Sequence, residues 1–481
     1  MKNDSRFYFI LIALGAAIGL GNIWLFPYFS FKLTGLFFIP YLIALFLLGM
    51  PLLMLEFSIG QYFNKNVVDL FSSIRKSFSF IGWLMLFNSL IVMSFYAVVL
   101  AWHIIYFFVS FGLQWKKDAK GYFFDNVLQA SQGFHGFTQF SLAVFVALII
   151  AWLIVFFFIR KGFESMKKGF LVAFPIFAAL MLFFLLYSLK LNHALSGVYL
   201  FLKPRFGNLL NFDAWLNAFS LAVLSLGLSF GIMHAVARKS GKGFVIGVSS
   251  IVAVFELVVS IAIGLTLFGV LGFLSVKQGL SFDKIALFDY GSGFTILAQA
   301  LPFFYKPTLL SLLFFLFLSI FFVLGTSALA YSIAHVLVHK FKTKHFNAAV
   351  IVAGFGFLLG LLFVIKPGFY IMDIVSHFVY YNILIALLLE VLAIGWFFDS
   401  EKIAQYINQN SILKIGRLWK FIIKYLIPLI LLALLFFQVK SDILLGYKDY
   451  PFVYILIFGV GAVVVPLILA FLMPQRIFDR R

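Results

Sequence analysis

The sequence predicts an all-α membrane protein of twelve transmembrane helices, and three observations predict it. The chain has 481 residues, of which 64% are hydrophobic and only 11% charged, where a soluble domain carries about 25% charged residues. Its apolar runs are continuous over spanning lengths, as in 36–55 and 309–338; about 20 such residues cross a bilayer as a helix. The runs do not alternate with period two, as the strands of a membrane barrel would.

Charge supports the same class. The formal net charge of +19 would suit a nucleic-acid surface if it were spread along a soluble face. Instead, Lys and Arg sit in short clusters between apolar runs, such as Arg238, Lys239 and Lys242, or Lys340, Lys342 and Lys344. That is the positive-inside pattern of membrane proteins, with lipid rather than nucleic acid as the surrounding partner. With no cysteine in the chain, disulfides, thiol chemistry and thiolate metal sites are excluded. Arg6 leads straight into a long span, unlike a cleavable signal peptide. The wealth of Phe, Ile and Lys suggests an AT-rich bacterial genome, hence a bacterial cytoplasmic (inner) membrane.

In chain order the spans are expected at 7–28, 36–62, 80–112, 140–159, 170–189, 213–236, 244–274, 308–338, 346–365, 371–398, 420–437 and 451–473. With the N-terminus inside, the 36 Lys and Arg divide as 23 inside and 13 outside, so both termini are expected to be cytoplasmic. Five spans precede the loop at 190–212 and five follow it through 398. An odd number per half inverts the second half relative to the first, a common transporter design. The expected organisation is a core at 1–400, with a first repeat at 7–189 and an inverted repeat at 213–398. Two further helices and a tail follow at 401–481.

Two spans carry clustered glycine at mid-depth. The first holds Gly15, Gly19 and Gly21, then Asn22 and Pro27; the sixth holds Ser225, Gly227, Ser229 and Gly231. Each Gly weakens a helix interior by about 1 kcal/mol relative to Ala, so both spans are predicted to break. A break frees backbone groups that are tolerable at depth only around a cavity or a bound ion. Small residues also serve close helix packing, which is the simpler use of either cluster alone.

At these residues the chain resembles the neurotransmitter:sodium symporter family, particularly its bacterial amino-acid transporters of the leucine-transporter type. The resemblance rests on Gly15-Ala16-Ala17-Ile18-Gly19-Leu20-Gly21-Asn22-Ile23-Trp24 with Phe26-Pro27. Gly35, Ile39-Pro40-Tyr41, Gly49, Pro51, Glu56, Gly60 and Tyr62 continue it. Tyr96 with Trp102, Gly162-Phe163-Glu164, 215–231, Thr326-Ser327 and 382–396 extend it to about residue 400. It implies sodium-coupled import of a small neutral amino acid or related amine by alternating access, with no enzymatic chemistry. The broken helices 1 and 6 are the family's geometry, one that general accounts of such transporters already describe.

The resemblance also implies a site. Substrate would rest on Ala17, Gly19, Leu20 and Gly21, whose N–H groups meet a carboxylate that Tyr96 also binds. Val92, Leu224, Ser225, Gly227, Phe230, Ser327 and Tyr331 would complete the pocket. One sodium ion would take carbonyls of Gly15, Ile18 and Val323 and the hydroxyls of Thr326 and Ser327. A second would use Ala17, Asn22 and Ser225, but Val252 stands where the family has an asparagine, with Ser249 and Ser250 nearby. Glu256 is the expected stand-in for chloride, or a proton carrier.

The chain departs from the family at both gates. Leu25 replaces the outer-gate arginine, and the partner aspartate falls at Val375 or Ser376; Asp373 is a different acidic position. At the inner gate Phe341 replaces the acid, and Arg6 is out of register with the family's arginine. These losses keep open a proton-coupled or sodium-independent carrier using Glu256 or one of His103, His234 and His335, and a non-transporting sensor. No Ser-His, paired-Asp or metal-ligand set falls in register for an intramembrane enzyme. Oligomeric state is not readable, and a homodimer is compatible.

Overall fold

The computed structural model describes residues 2–19, 21–33, 37–131, 133–203, 206–240, 243–285, 292–411 and 413–473, apart from the side chains of 2–5, 208 and 292–295. Leu20 of the expected substrate floor, Gly35 and Lys242 lie outside them. The described chain is helical, its one β-bridge being Phe140 to Ile365.

The helices that place the site are, in order, α1 (Lys2–Ala16), α2 (Gly21–Lys32), α3 (Phe38–Phe63), α4 (Val67–Ile74), α5 (Lys76–Val109), α6 (Leu142–Ile159) and α7 (Phe163–Leu189). Then come α8 (Ala194–Leu202), α9 (Phe212–Ser225), α10 (Ile232–Ala237), α11 (Val245–Gln278), α12 (Pro307–Phe341), α13 (His345–Phe363) and α14 (Gly368–Phe398). The chain ends with α15 (Ser400–Gln409), α16 (Arg417–Leu445) and α17 (Phe452–Leu472). Among the described residues ten helices are long and apolar enough to cross a membrane, and the bent pair α1–α2 makes an eleventh if it is taken as one span. α9 is too short to count alone; with α10 it occupies the sixth expected span.

Local chemistry sets several of these boundaries. Asn66 and Asn211 cap α4 and α9, accepting from the N–H groups of Asp69 at 3.1 Å and Asp213 at 2.9 Å. Such caps occupy N–H groups that a first turn leaves without partners. At the C-terminus of α11, Gly279 takes the left-handed conformation that stops a helix.

Burial separates a centre from a lipid-facing shell. The apolar stretches of α5 and α14 are each 78% buried, against 22% for α7 and 17% for α17. The exposed residues of the outer helices are large and apolar, including Val172, Leu182, Ile457 and Leu472. Since lipid is as apolar as these side chains, helix contacts here rest on close packing rather than on escape from water. Aromatic rings supply much of it: Phe177 of α7 stacks on Phe317 of α12 at 5.3 Å, and Trp102 of α5 meets Phe123 edge-on at 5.2 Å.

Candidate functional site

The first span breaks where its glycines cluster. α1 ends at Ala16, α2 starts at Gly21, and the two are bent by 50°. Asn22 closes the gap locally: Gly19 N–H donates to its Oδ1 at 3.0 Å, and its own N–H donates to the Gly19 carbonyl at 3.0 Å. In the sixth span α9 stops at Ser225 and α10 starts at Ile232. The turn between them needs positive φ at Gly227 (63°), Ser229 (65°) and Gly231 (72°). Glycine adopts such backbone at no steric cost. Ser229 does not, and its N–H is held by Glu56 Oε1 at 2.7 Å.

The two breaks lie against one another. A Cβ on Gly227 would sit 2.8 Å from the Ala16 carbonyl oxygen, and one on Gly21 would sit 3.4 Å from Ser225 Cβ. Tyr96 reaches the same place from α5, its hydroxyl 2.9 Å from where a Gly19 Cβ would be. Gly325 of α12 brings that helix within 3.1 Å of the Ile18 carbonyl oxygen, measured from the position of an added Cβ.

Beside this contact, Thr326 and Ser327 are fully buried, and neither Oγ1 of Thr326 nor Oγ of Ser327 has a hydrogen-bond partner. A hydroxyl in a membrane helix ordinarily donates back to its own turn, as Ser319 does to Phe315 O at 2.7 Å and Ser332 to Leu329 O at 2.7 Å. Leaving two hydroxyls unpartnered in the core costs roughly 1–3 kcal/mol each, unless an ion uses them. Hard cations take oxygen donors, and the Ile18 carbonyl faces the adjacent Gly325. The donor set therefore fits sodium. Val323 sits buried one turn before Ser327; Gly15 faces the Phe170 ring of α7.

The second expected ion position is organised differently. Asn22 is fully buried, and its amide donates to Glu256 Oε1 at 2.8 Å and Ser260 Oγ at 2.9 Å. Ser260 Oγ donates to the same carboxylate oxygen at 2.9 Å, and the Tyr41 hydroxyl donates to it as well. Tyr41 also meets Ser225 Oγ at 2.8 Å. Glu256 is thus the centre of a ring of donors from α2, α3, α9 and α11. Ser249 and Ser250 take no part in it; they bond back to Val245 O and Ile246 O at 2.9 Å.

A cleft of about 530 Å³ opens above the breaks, bordered by Gly21, Val92, Tyr96, Leu224 and Phe230 of the expected substrate set. Leu25 and Ser376, the two altered outer-gate positions, both line it. Ala17, Ser225, Gly227 and Ser327 do not border this cleft; they lie buried in the contact beneath it. Tyr331 lines a second cavity of about 440 Å³ toward the far end of α12, with Tyr8, Lys167, Lys239, His335 and His345. Phe341, at the altered inner gate, packs 6.1 Å from Trp83, while neighbouring Lys340 pairs with Asp69 at 2.6 Å. His103 is a packed residue, its Nδ1 2.6 Å from Val99 O and its ring stacked on Phe322 at 5.0 Å. His335 lies 3.3 Å from the Arg238 guanidinium.

One part of the cleft escaped sequence reasoning. Gln438, Tyr447 and Lys448, from α16 and the segment after it, form part of its lining. Tyr447 and Lys448 dock on α14 through Asp373, fully buried, which takes hydrogen bonds from Tyr447 at 2.9 Å and Tyr450 at 2.7 Å and pairs with Lys448; Gln438 Nε2 lies 3.3 Å from His377 Nε2. Asp442 of α16 likewise binds His377 at 2.7 Å and Tyr381 at 2.6 Å. The only signal was the presence of lone charges at the ends of apolar runs.

A multi-pass helical bundle with two facing helix breaks beneath a cleft belongs to the class of membrane transporters. The profile of the sodium:neurotransmitter symporter family matches residues 2–120 and 113–476, and the chain belongs to that family. Over 469 residues it is 31% identical to an uncharacterised sodium-dependent transporter of Methanocaldococcus jannaschii, covering 96% of this chain and 95% of that one. It is 27% identical to a sodium-dependent nutrient amino acid transporter of Drosophila virilis, covering 95% and 81%. It is also 27% identical to a sodium- and chloride-dependent GABA transporter of Drosophila melanogaster, covering 85% and 47%. Membership implies sodium as the ion this chain uses.

Proposed function

We propose that the chain is a symporter that uses the sodium gradient to import a small neutral amino acid or a related amine by alternating access. The observation that carries this is the pair of unpartnered hydroxyls of Thr326 and Ser327 beside the Ile18 carbonyl of the broken first span. Sodium there would join α12 to α1 and favour the state open at the cleft, an ion shifting such an equilibrium only by its differential affinity. The substrate carboxylate would meet Gly19, Gly21 and Tyr96, with its side chain against Val92, Leu224 and Phe230. Supporting the organisation is the position of the breaks, one in the first span of each five-span half, as an inverted repeat requires. Both termini are then cytoplasmic, and the Tyr331 cavity is the inward exit.

Glu256 supports a chloride-independent cycle, because its fixed carboxylate already occupies the donors of Asn22, Tyr41 and Ser260. A mobile anion has no vacant place there. The deciding experiment is uptake of labelled neutral amino acids into proteoliposomes under an inward sodium gradient, against an equal potassium gradient. Accumulation only with sodium is the expected result. Equal accumulation from a pH gradient alone would move the coupling to a proton, and binding without uptake would make the protein a sensor.

A further inference from the structure

The second cavity gathers hydrogen-bond donors and positive charge. It lies where α7 and α13 begin, and is lined there by Gly162, Phe163 and His345. Neither start is capped: Gly162 and Lys344, the residues before them, give no side-chain hydrogen bond to the first turn. Uncapped first-turn N–H groups and the helix dipole both favour an anion. Three ammonium groups, Lys161, Lys167 and Lys239, line the same space against one carboxylate, Glu164, which leaves two positive charges uncancelled with imidazoles counted neutral. Asp69 does not balance them, because it pairs with Lys340 at 2.6 Å. His335 gives the sharpest sign. It lines the cavity and is 4% exposed. Its Nε2 lies 3.3 Å from a nitrogen of the Arg238 guanidinium. A guanidinium can only donate, so Nε2 accepts and the ring proton sits on Nδ1. Nδ1 has no hydrogen-bond partner among the described residues. A buried N–H in a basic cavity is a donor without its acceptor.

We propose that this cavity binds a phosphate-bearing anion, held by Lys161, Lys167, Lys239 and the Nδ1–H of His335. A phosphate monoester carries about 1.5 to 2 negative charges at pH 7 and several strong acceptor oxygens, which suit both the uncancelled charge and the spread of donors. The volume of about 440 Å³ falls within the range of small-ligand pockets, about 300–1,000 Å³. A neutral amino acid has no net charge and gains nothing from the excess of lysine, so the chemistry here is not that of the cleft. Two sources share the ligand chemistry. One is the headgroup of an anionic phospholipid, since basic pockets between membrane helices take such groups; the other is free phosphate in solution. The bearing on transport rests on the reading of this cavity as the inward exit. Lys167 stands over the Tyr8 ring of α1 at 4.1 Å. An anion that joins Lys167 to α12 and α13 would hold α1 against them and restrain inward opening.

The test measures binding without sodium or amino acid, so a failure of uptake leaves it untouched. Full-length chain in detergent is titrated with inorganic phosphate by isothermal titration calorimetry, with acetate at equal ionic strength as the control. In parallel, native mass spectrometry follows retention of phosphatidylglycerol against phosphatidylcholine. The expected result is one saturable site for phosphate or for phosphatidylglycerol, weakened at least about tenfold in the double variant Lys161→Gln/Lys239→Gln and in His335→Leu. Binding of inorganic phosphate alone supports the site and assigns a free anion. Retention of phosphatidylglycerol that phosphate does not displace supports it and assigns a headgroup. Lys161 and Lys239 are exposed, so their double variant should fold and decides the matter should His335→Leu not fold. No saturable binding of either probe, acetate bound as tightly as phosphate, or unchanged affinity in the double variant overturns the proposal. A chain that binds phosphate but takes up no amino acid keeps this site and loses only the transport reading.

Discussion

At the scale of single residues, Thr326 and Ser327 are the most exacting test of the sodium site. In the proposed site each hydroxyl would supply one oxygen to a buried cation, and a hydrogen bond or ligand to a charged group is worth about 1.5–3 kcal/mol. Thr326→Ala and Ser327→Ala should each raise the sodium concentration for half-maximal uptake by roughly tenfold or more. Unchanged sodium dependence in both would remove the assignment. Tyr96→Phe deletes one hydroxyl beside Gly19 and should weaken substrate binding about tenfold while the sodium requirement persists, as read by equilibrium binding. Glu256→Ser leaves Asn22, Tyr41 and Ser260 facing a site without negative charge. Uptake by that variant should then depend on external chloride, and chloride-indifferent uptake would argue against the stand-in role. Thr326, Ser327, Tyr96, Asn22, Tyr41 and Glu256 could be named from the sequence through the family resemblance; Ser260 could not. Their partnerships could not: that Thr326 lacks the usual bond to its own turn is visible only once α12 is set against Ile18.

At the scale of elements, the two helix breaks were legible because they are local events. Gly15, Gly19 and Gly21, and then Gly227 and Gly231, mark chain that cannot continue as helix cheaply. What the sequence concealed is that the breaks touch. Gly227 combines a φ of 63° with an Ala16 carbonyl oxygen 2.8 Å from where its Cβ would be, so a methyl group there is strained twice. Gly227→Ala should lower stability by about 1–3 kcal/mol and reduce uptake, measured by thermal unfolding in detergent and by proteoliposome flux. Gly207→Ala, whose added Cβ meets nothing within 4 Å, is the control and should change neither. Ser229 shows the limit of composition as a guide. It holds positive φ without being glycine, through an N–H bond to Glu56 far away in sequence.

At the scale of the whole molecule, hydropathy located ten of the twelve expected spans as long apolar helices, but not how the last two dock. The pairing of Lys448 and Asp442 with α14 depends on residues more than sixty positions apart in the chain, and no local pattern encodes it. Lys448→Ala leaves the fully buried Asp373 without its cation and should destabilise the protein by about 1–3 kcal/mol. Adding Asp373→Asn should recover part of that loss, since removing both charges avoids an unpaired one; a thermal melt of the single and double variants checks both. The two cavities carry a further consequence, an electrical one. Gly325 abuts the Tyr96 ring at the floor of the cleft, and Tyr331, six residues along α12, already lines the second cavity. At about 1.5 Å per residue, the wall between them is only about 9 Å thick. With water in both cavities, most of the membrane voltage falls across that thin septum rather than across the full bilayer. A sodium ion bound at Thr326 and Ser327 then sits inside the field itself, and nearly all the electrical work of a transport cycle, about 2.3 kcal/mol per charge per 100 mV, is done on the short passage past these residues.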